Sequence, residues 1–178
     1  GYSVMEYRDH VKRLVDMAMR DNKARPEYIS SLTPIDPGYA AMGAGSLADG
    51  IFGGRTFSSG WLGYQGEDMV IEISLPSPVT ISKFSMNFLC DHVSWIFLPE
   101  EVRIEISADG INYTIAASGH YPTTGFDQDI TPVFMEFSIS PATARKIRLT
   151  AVSMKKCPSW HRGAGMPSWI FCDEIVVE

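Results

Sequence analysis

The chain has 178 residues, 45% of them hydrophobic and 20% charged, with a formal net charge of −6. That length fits one domain with an appendage and can bury a core of its own, and the ordinary composition excludes a disordered or collagen-like chain. The acidic balance, with no Lys/Arg run, argues against nucleic-acid binding, which needs a cationic face, and no apolar stretch reaches the length of a membrane span.

The first residues lack the basic, apolar and small-residue order of a signal peptide. They also lack an initiating Met, so a piece of a longer, exported chain is expected. From Val4 to about Asn22 apolar residues recur every three or four positions: Val4, Tyr7, Val11, Leu14, Val15 and Ala18. That spacing predicts an amphipathic helix, ending before Pro26 biases Arg25 away from helical geometry. A connection rich in Pro and Gly follows, including Pro34 and Pro37. Residues 1–36 are therefore taken as a helical extension and linker, either docked on the domain behind it or left from a preceding domain. Residues 37–178 form the main domain.

Beyond about Tyr39 the period changes to two. Met69, Ile71, Ile73 and Leu75 alternate with Val70, Glu72 and Ser74, and Phe84, Met86 and Phe88 alternate with Ser85 and Asn87. The same holds for Val102, Ile104 and Ile106, for Val133, Met135, Phe137 and Ile139, and for Ile147, Leu149 and Ala151. Each run reads as a half-buried strand. Turn residues separate them, around Pro76 and Pro78, at Asp109-Gly110 and around Pro141; Asp-Gly between apolar runs is a strong hairpin signal. Strands without intervening helices predict an all-β, antiparallel jelly-roll sandwich.

No nucleophile elbow, His-Glu-x-x-His, phosphate loop or dinucleotide-binding glycine run is present. Catalysis receives no support. The three cysteines, Cys90, Cys157 and Cys172, have no zinc-type spacing and cannot all pair. Buried free thiols are expected, with one disulfide left open. The Gly-rich loop around Asp49, with Thr56, Ser58 and Ser59 following, offers a carboxylate and turned carbonyls that suit Ca²⁺, or equally an Asx-turn capping the sandwich. Trp61, Trp95, Trp160 and Trp169 are either core residues or stacking faces for sugar rings, and His161 and Arg162 offer directional hydrogen bonds beside Trp160.

The stretches "LADG", "GGRTF", "SGWLGYQGEDMVIEISL", "ISKFSMNFLCDHVSWIFLPEEVRIEISADGINY", "ARKIRLTAV" and "CPSWHRGAGMPSWIFCDEIVVE" occur in that order. Together they resemble the discoidin, or coagulation factor V/VIII type C, domains. The likeness is to the bacterial versions, classed as family 32 carbohydrate-binding modules and appended to glycoside hydrolases such as β-hexosaminidases. It runs from about Pro37 to Glu178.

The resemblance implies a jelly roll of about eight strands with a structural Ca²⁺. The ligands it implies are Asp49, loop oxygens among Ser46, Phe52, Gly54 and Thr56, and Glu174. For a sugar pocket it leaves Asp91, His92, Trp95, Trp160, His161 and Arg162 as candidates. The function it implies is non-catalytic: a carbohydrate-binding module at the C-terminal part of a bacterial glycoside hydrolase, secreted, periplasmic or on the cell surface. Expected partners are glycans with galactose or N-acetylhexosamine residues and a preceding catalytic domain in cis. The rival expectation is a structural, protein-interaction or adhesion domain without sugar binding.

Overall fold

The computed structural model describes residues 21–178 together with Val4, Met5, Arg8, Asp9, Val11, Lys12 and Val15. Those isolated N-terminal residues have helical backbone. The remainder of the helix expected from Val4 lies outside the described residues, except that Asp21 and Asn22 are not helical.

The described residues form seven strands: β1 (Ile29–Ser31), β2 (Leu62–Gln65), β3 (Met69–Cys90), β4 (Glu101–Ser107), β5 (Thr114–His120), β6 (Thr131–Val152) and β7 (Trp169–Val177). They pair in the order β2-β7-β3-β6-β4-β5, with β1 added to β3. All named pairings are antiparallel. The expected jelly-roll sandwich of antiparallel strands is what the chain forms.

Two strands of 22 residues, β3 and β6, run through both layers. The first half of β3 pairs with β1 and with the second half of β6, which in turn pairs with β4 and so leads to β5. The second half of β3 pairs with the first half of β6 and with β7, which leads to β2. Register shifts between Ser74 and Val79 and between Ile81 and Lys83 mark the corner.

Sequence reasoning breaks each of these strands in two at its prolines, whereas the structure bends them. Pro76 and Pro78 fall where the ladder with β6 is interrupted, so their missing N–H groups leave no partner unsatisfied. The corner also resets the alternation, from odd positions Met69, Ile71 and Ile73 to even positions Phe84, Met86 and Phe88. Both sets are fully buried.

Registry aligns the core. Ile71 lies opposite Leu149, which lies opposite Ile104; Met86 lies between Met135 and Ile175. Residues from both layers join one buried cluster. A second cluster of Trp61, Leu89, Ile96 and Phe171 covers the other face of the β7 layer, with Tyr39, Phe57 and Trp169 packed on it. At the β4–β5 hairpin, Asp109 Oδ1 accepts from the N–H groups of Ile111 and Asn112 and from Ser107 Oγ, while Gly110 takes φ +79°. Cys90, Cys157 and Cys172 are buried free thiols.

Of the described residues before position 37, Asn22, Lys23 and β1 bond to the sandwich. β2 ends where Leu62 meets Cys172, leaving the edge of β7 open beyond that point. Asn22 closes it. Its Nδ2 donates to Ile175 O at 2.7 Å, and its Oδ1 accepts from Val177 N at 2.8 Å and from Ala24 N at 3.0 Å. Lys23 N adds a bond of 2.7 Å to Val177 O. Replacing Asn22 with Ala leaves strand-edge groups without partners, and denaturant unfolding should show a loss of about 2 kcal/mol. An unchanged midpoint and slope would mean that this segment does not hold the edge.

Candidate functional site

Because Cys90 pairs with Thr131, while Glu101 pairs with both His120 and Val152, three connections emerge at one end of the sandwich. They are residues 91–100, 121–130 and 153–168. Asp91, His92 and Trp95 lie on the first, and Trp160, His161 and Arg162 on the third. The fold brings all six together.

Most of them hold the loops. Asp91 is 2% exposed and caps a single 3-10 turn, His92–Ser94, with Oδ1 accepting from Ser94 N at 3.2 Å. Trp95 ends that turn in left-handed geometry at φ +66°, and its ring lies edge-on to His161. A Cβ on Gly163 would come within 2.8 Å of the Trp95 ring, so only glycine lets the third loop close over it.

His161 is buried: its Nδ1 accepts from Gly163 N at 3.0 Å, which leaves Nε2–H to donate to His92 O at 2.6 Å. His92 is buried as well and stacks on Phe97, with centroids 4.7 Å apart. Its Nδ1 accepts from Asp127 N at 2.9 Å, tying the second loop to the first. Two imidazoles therefore join three loops.

Above this floor is an exposed cleft of about 270 Å³ lined by Val93, Phe126, Trp160 and Arg162. Trp160 is 41% exposed and Phe126 57%, whereas Trp61 is 3% exposed and Trp95 and Trp169 are half-buried. The Trp160 and Phe126 rings meet edge-to-face, with centroids 6.5 Å apart. Arg162 Nη2 donates to Val93 O at 2.7 Å, which fixes the guanidinium at the rim.

A separate cleft, also about 270 Å³, has Asp49 and Glu174 among its lining residues, together with Asp21 and Arg25. A bulge sets it up. Asn87 pairs with Glu174 and Phe88 with Cys172, so Asp173 is the extra residue and the usual alternation fails. Both acids are buried. Asp173 accepts from Gly53 N at 2.8 Å and from Asn87 Nδ2 at 2.7 Å, yet burial above all pushes its carboxyl up to about 7. Burial, then the Asp173 and Asp49 charges, push Glu174 up to about 9, and its Oε2 has no hydrogen-bond partner.

An unsatisfied buried carboxylate oxygen among mutually repelling acids fits a bound cation. Among the described residues no three His, Cys, Asp or Glu side chains are grouped to hold one unaided, so backbone oxygens would have to contribute. Of the other loop positions, Ser46 Oγ accepts from Met42 N, and Gly54 O accepts from Trp61 Nε1. Thr56 is exposed and shares a hydrogen bond with Ser58, and Phe52 is half-buried in the loop.

The sequence profile of the F5/8 type C domain matches residues 29–171. The chain belongs to that family. No curated protein matches it. Among solved structures, this F5/8 type C domain is similar to the module CpGH89CBM32-5 of Clostridium perfringens, in complex with GalNAc-β-1,3-galactose. The TM-score is 0.50 at 16% identity, covering 86% of this chain and 97% of that one. It is also similar to chitosan-binding module 1 of a chitosanase/glucanase from Paenibacillus sp. IK-5, with a TM-score of 0.55 at 18% identity, covering 89% and 99%. A third is a GH31 CBM32-2 module bound to GalNAc, with a TM-score of 0.54 at 12% identity, covering 84% and 95%. Identities this low speak for the fold.

Sequence reasoning misses Val93 and Phe126 as cleft residues of the F5/8 type C domain. The available signal is an aromatic stranded in a polar loop, Thr-Thr-Gly-Phe-Asp-Gln-Asp, where no core face accounts for it. It also misses Asp173, since strict alternation would place only one of the two neighbouring acids inside.

The His92 tether carries a pH dependence. Burial lowers the imidazole below its ordinary value of 6.5; His161 adds to the lowering, and Asp127 and Asp91 oppose it. The unfolded chain therefore binds the proton first on acidification, so this contribution is complete above about 6.5 and is lost as pH falls below it. In the His92→Asn variant, the side-chain amide oxygen can still accept from Asp127 N without titrating. The stability difference between wild type and this variant, followed by denaturation from pH 7.5 to 5, should shift against the wild type in acid. Parallel profiles would rule the tether out as a titrating element.

Proposed function

We propose that this domain is a non-catalytic carbohydrate-binding module, carried by a bacterial glycoside hydrolase outside the cytoplasm, that keeps the enzyme on its glycan. The observation that carries the reading is the half-exposed Trp160 face beside Phe126, on loops that His92 and His161 tie together. An aromatic ring is costly to leave in water unless something covers it, and the C–H face of a pyranose is a natural cover. The ligands of the similar C. perfringens and GH31 modules, which contain GalNAc, support this.

The cleft is shallow, so a single contact binds weakly. Tethering to a catalytic domain turns weak binding into a high effective concentration of substrate. The chemistry belongs to that catalytic domain; these residues only bind and orient.

Calorimetry against a glycan panel tests the reading. Trp160→Ala should weaken the best ligand at least tenfold, about 1.4 kcal/mol, with no change in melting temperature because the ring is outside the core. Retained affinity in a folded variant would refute the stacking role.

We propose further that Ca²⁺ occupies the acidic cleft and is held by Glu174, Asp49 and neighbouring loop oxygens. Its chemistry there is structural: it neutralises buried carboxylates that otherwise repel. Adding millimolar Ca²⁺ should raise the melting temperature of the wild type, and chelation should reverse the rise. Glu174→Gln should melt at the same temperature with or without the ion. A variant that keeps the full Ca²⁺ shift would place the ion elsewhere.

A further inference from the structure

We propose that the sugar held at the aromatic cleft is acidic, a pyranose carrying a carboxylate or sulfate that Arg162 binds; the proposal rests on the sugar-binding reading of this cleft and narrows it. The balance of hydrogen-bond donors and acceptors points to it. The cleft is lined by two aromatic rings, a valine and one guanidinium. A guanidinium has five donors and no acceptor. One of them is directed to Val93 O, so that carbonyl is occupied and the remaining donors are held in place at the rim.

The imidazole acceptors beneath are also in use. His92 Nδ1 takes the Asp127 N–H, His92 O takes His161 Nε2–H, and His161 Nδ1 takes the Gly163 N–H. Asp91 Oδ1 is bound to the N–H of Ser94.

A neutral hexose brings hydroxyls, and each hydroxyl proton needs an acceptor once water is displaced. This cleft supplies donors. A carboxylate or sulfate is acceptor-only and matches the planar fork of arginine, in bonds about twice as strong as neutral ones. The charge of the loop that carries Arg162 agrees with this. On a chain of net charge −6, residues 153–168 contain Lys155, Lys156 and Arg162 and no Asp or Glu. Lys155 is paired with Asp68, away from the cleft, which leaves Arg162 as the cation in the lining. The other two loops carry Asp91, Glu100, Asp127 and Asp129 and no Lys or Arg. Asp127 is exposed beside Phe126, with Oδ1 accepting from Asp129 N at 2.9 Å. An anion is therefore held by the Arg162 fork and not by the net charge of this end.

The test compares acidic sugars with neutral counterparts of the same skeleton, by calorimetry on the whole chain. One arm sets an oligogalacturonide against its methyl ester, and the other a sulfated chondroitin disaccharide against the unsulfated one. At least one acidic form should bind about tenfold or more tighter than its neutral form, with the preference shrinking as NaCl rises. The arm that shows it identifies the anion as carboxylate or sulfate.

Arg162→Gln should bring the two forms to parity, and Arg162→Lys should recover part of the preference because the charge is kept and the fork is lost. Equal binding of acidic and neutral forms by the wild type would overturn the proposal while leaving sugar binding intact. So would a preference that survives Arg162→Gln. Failure to bind any sugar would remove the sugar-binding reading and this proposal with it. Should Arg162→Gln melt early, the wild-type comparison and the lysine variant still decide.

Discussion

Everything in this domain takes its place from β3 and β6, which bend and pass through both layers. A strand shared by two layers fixes their relative position without depending on side-chain packing alone. It also fixes connectivity. Since β3 leaves one layer at Cys90 and β4 enters the other at Glu101, the connection between them must cross the open end. The same constraint sends residues 121–130 and 153–168 across that end. Three loops meet there because two strands turn a corner elsewhere.

The layer pattern was largely legible in the sequence, because half-buried strands alternate and these alternate cleanly. Ile71, Ile104 and Leu149 come out as one buried rung, and Asp109-Gly110 makes its hairpin. What did not show was continuity. Pro76 and Pro78 are strong local breakers, and only the register with β6 reveals that the chain bends there instead of stopping. β1 was invisible for a different reason. It has three residues and one buried side chain, and its position depends on the backbone of β3, which carries no local signal. The N-terminal boundary blurs accordingly: Asn22 and β1 lie before residue 37 and both complete sheet edges.

At the loop end, residue types were readable and their roles were not. A Trp-His-Arg run in a loop says that a stacking face and two polar groups are near each other. It does not say which way each one turns. The structure divides them. Trp160 and Arg162 reach the surface, while His161 turns under it and spends both ring nitrogens on backbone groups. Phe126 joins them from the β5–β6 connection, across a gap in the chain that only the fold closes. Pattern reasoning is weakest in irregular loops, which have no period from which to infer a face.

The two clefts show opposite ways of handling polar groups. In the acidic one the fold leaves a carboxylate oxygen of Glu174 unpaired inside the protein, at an electrostatic cost that Asp173 and Asp49 increase. A site of that kind is relieved by a proton, the direction in which burial pushes Glu174, or by a cation such as the Ca²⁺ proposed above. In the aromatic one the fold ties the buried side chains of His92, His161 and Asp91 to backbone groups of the three loops. What remains for a ligand is ring surface and a fixed guanidinium. Such a platform requires no rearrangement to bind, since the loops are already ordered by bonds among themselves. If a sugar sits there as proposed, its selection falls to the Arg162 guanidinium and to which ring faces it can cover, above a floor held by its own bonds.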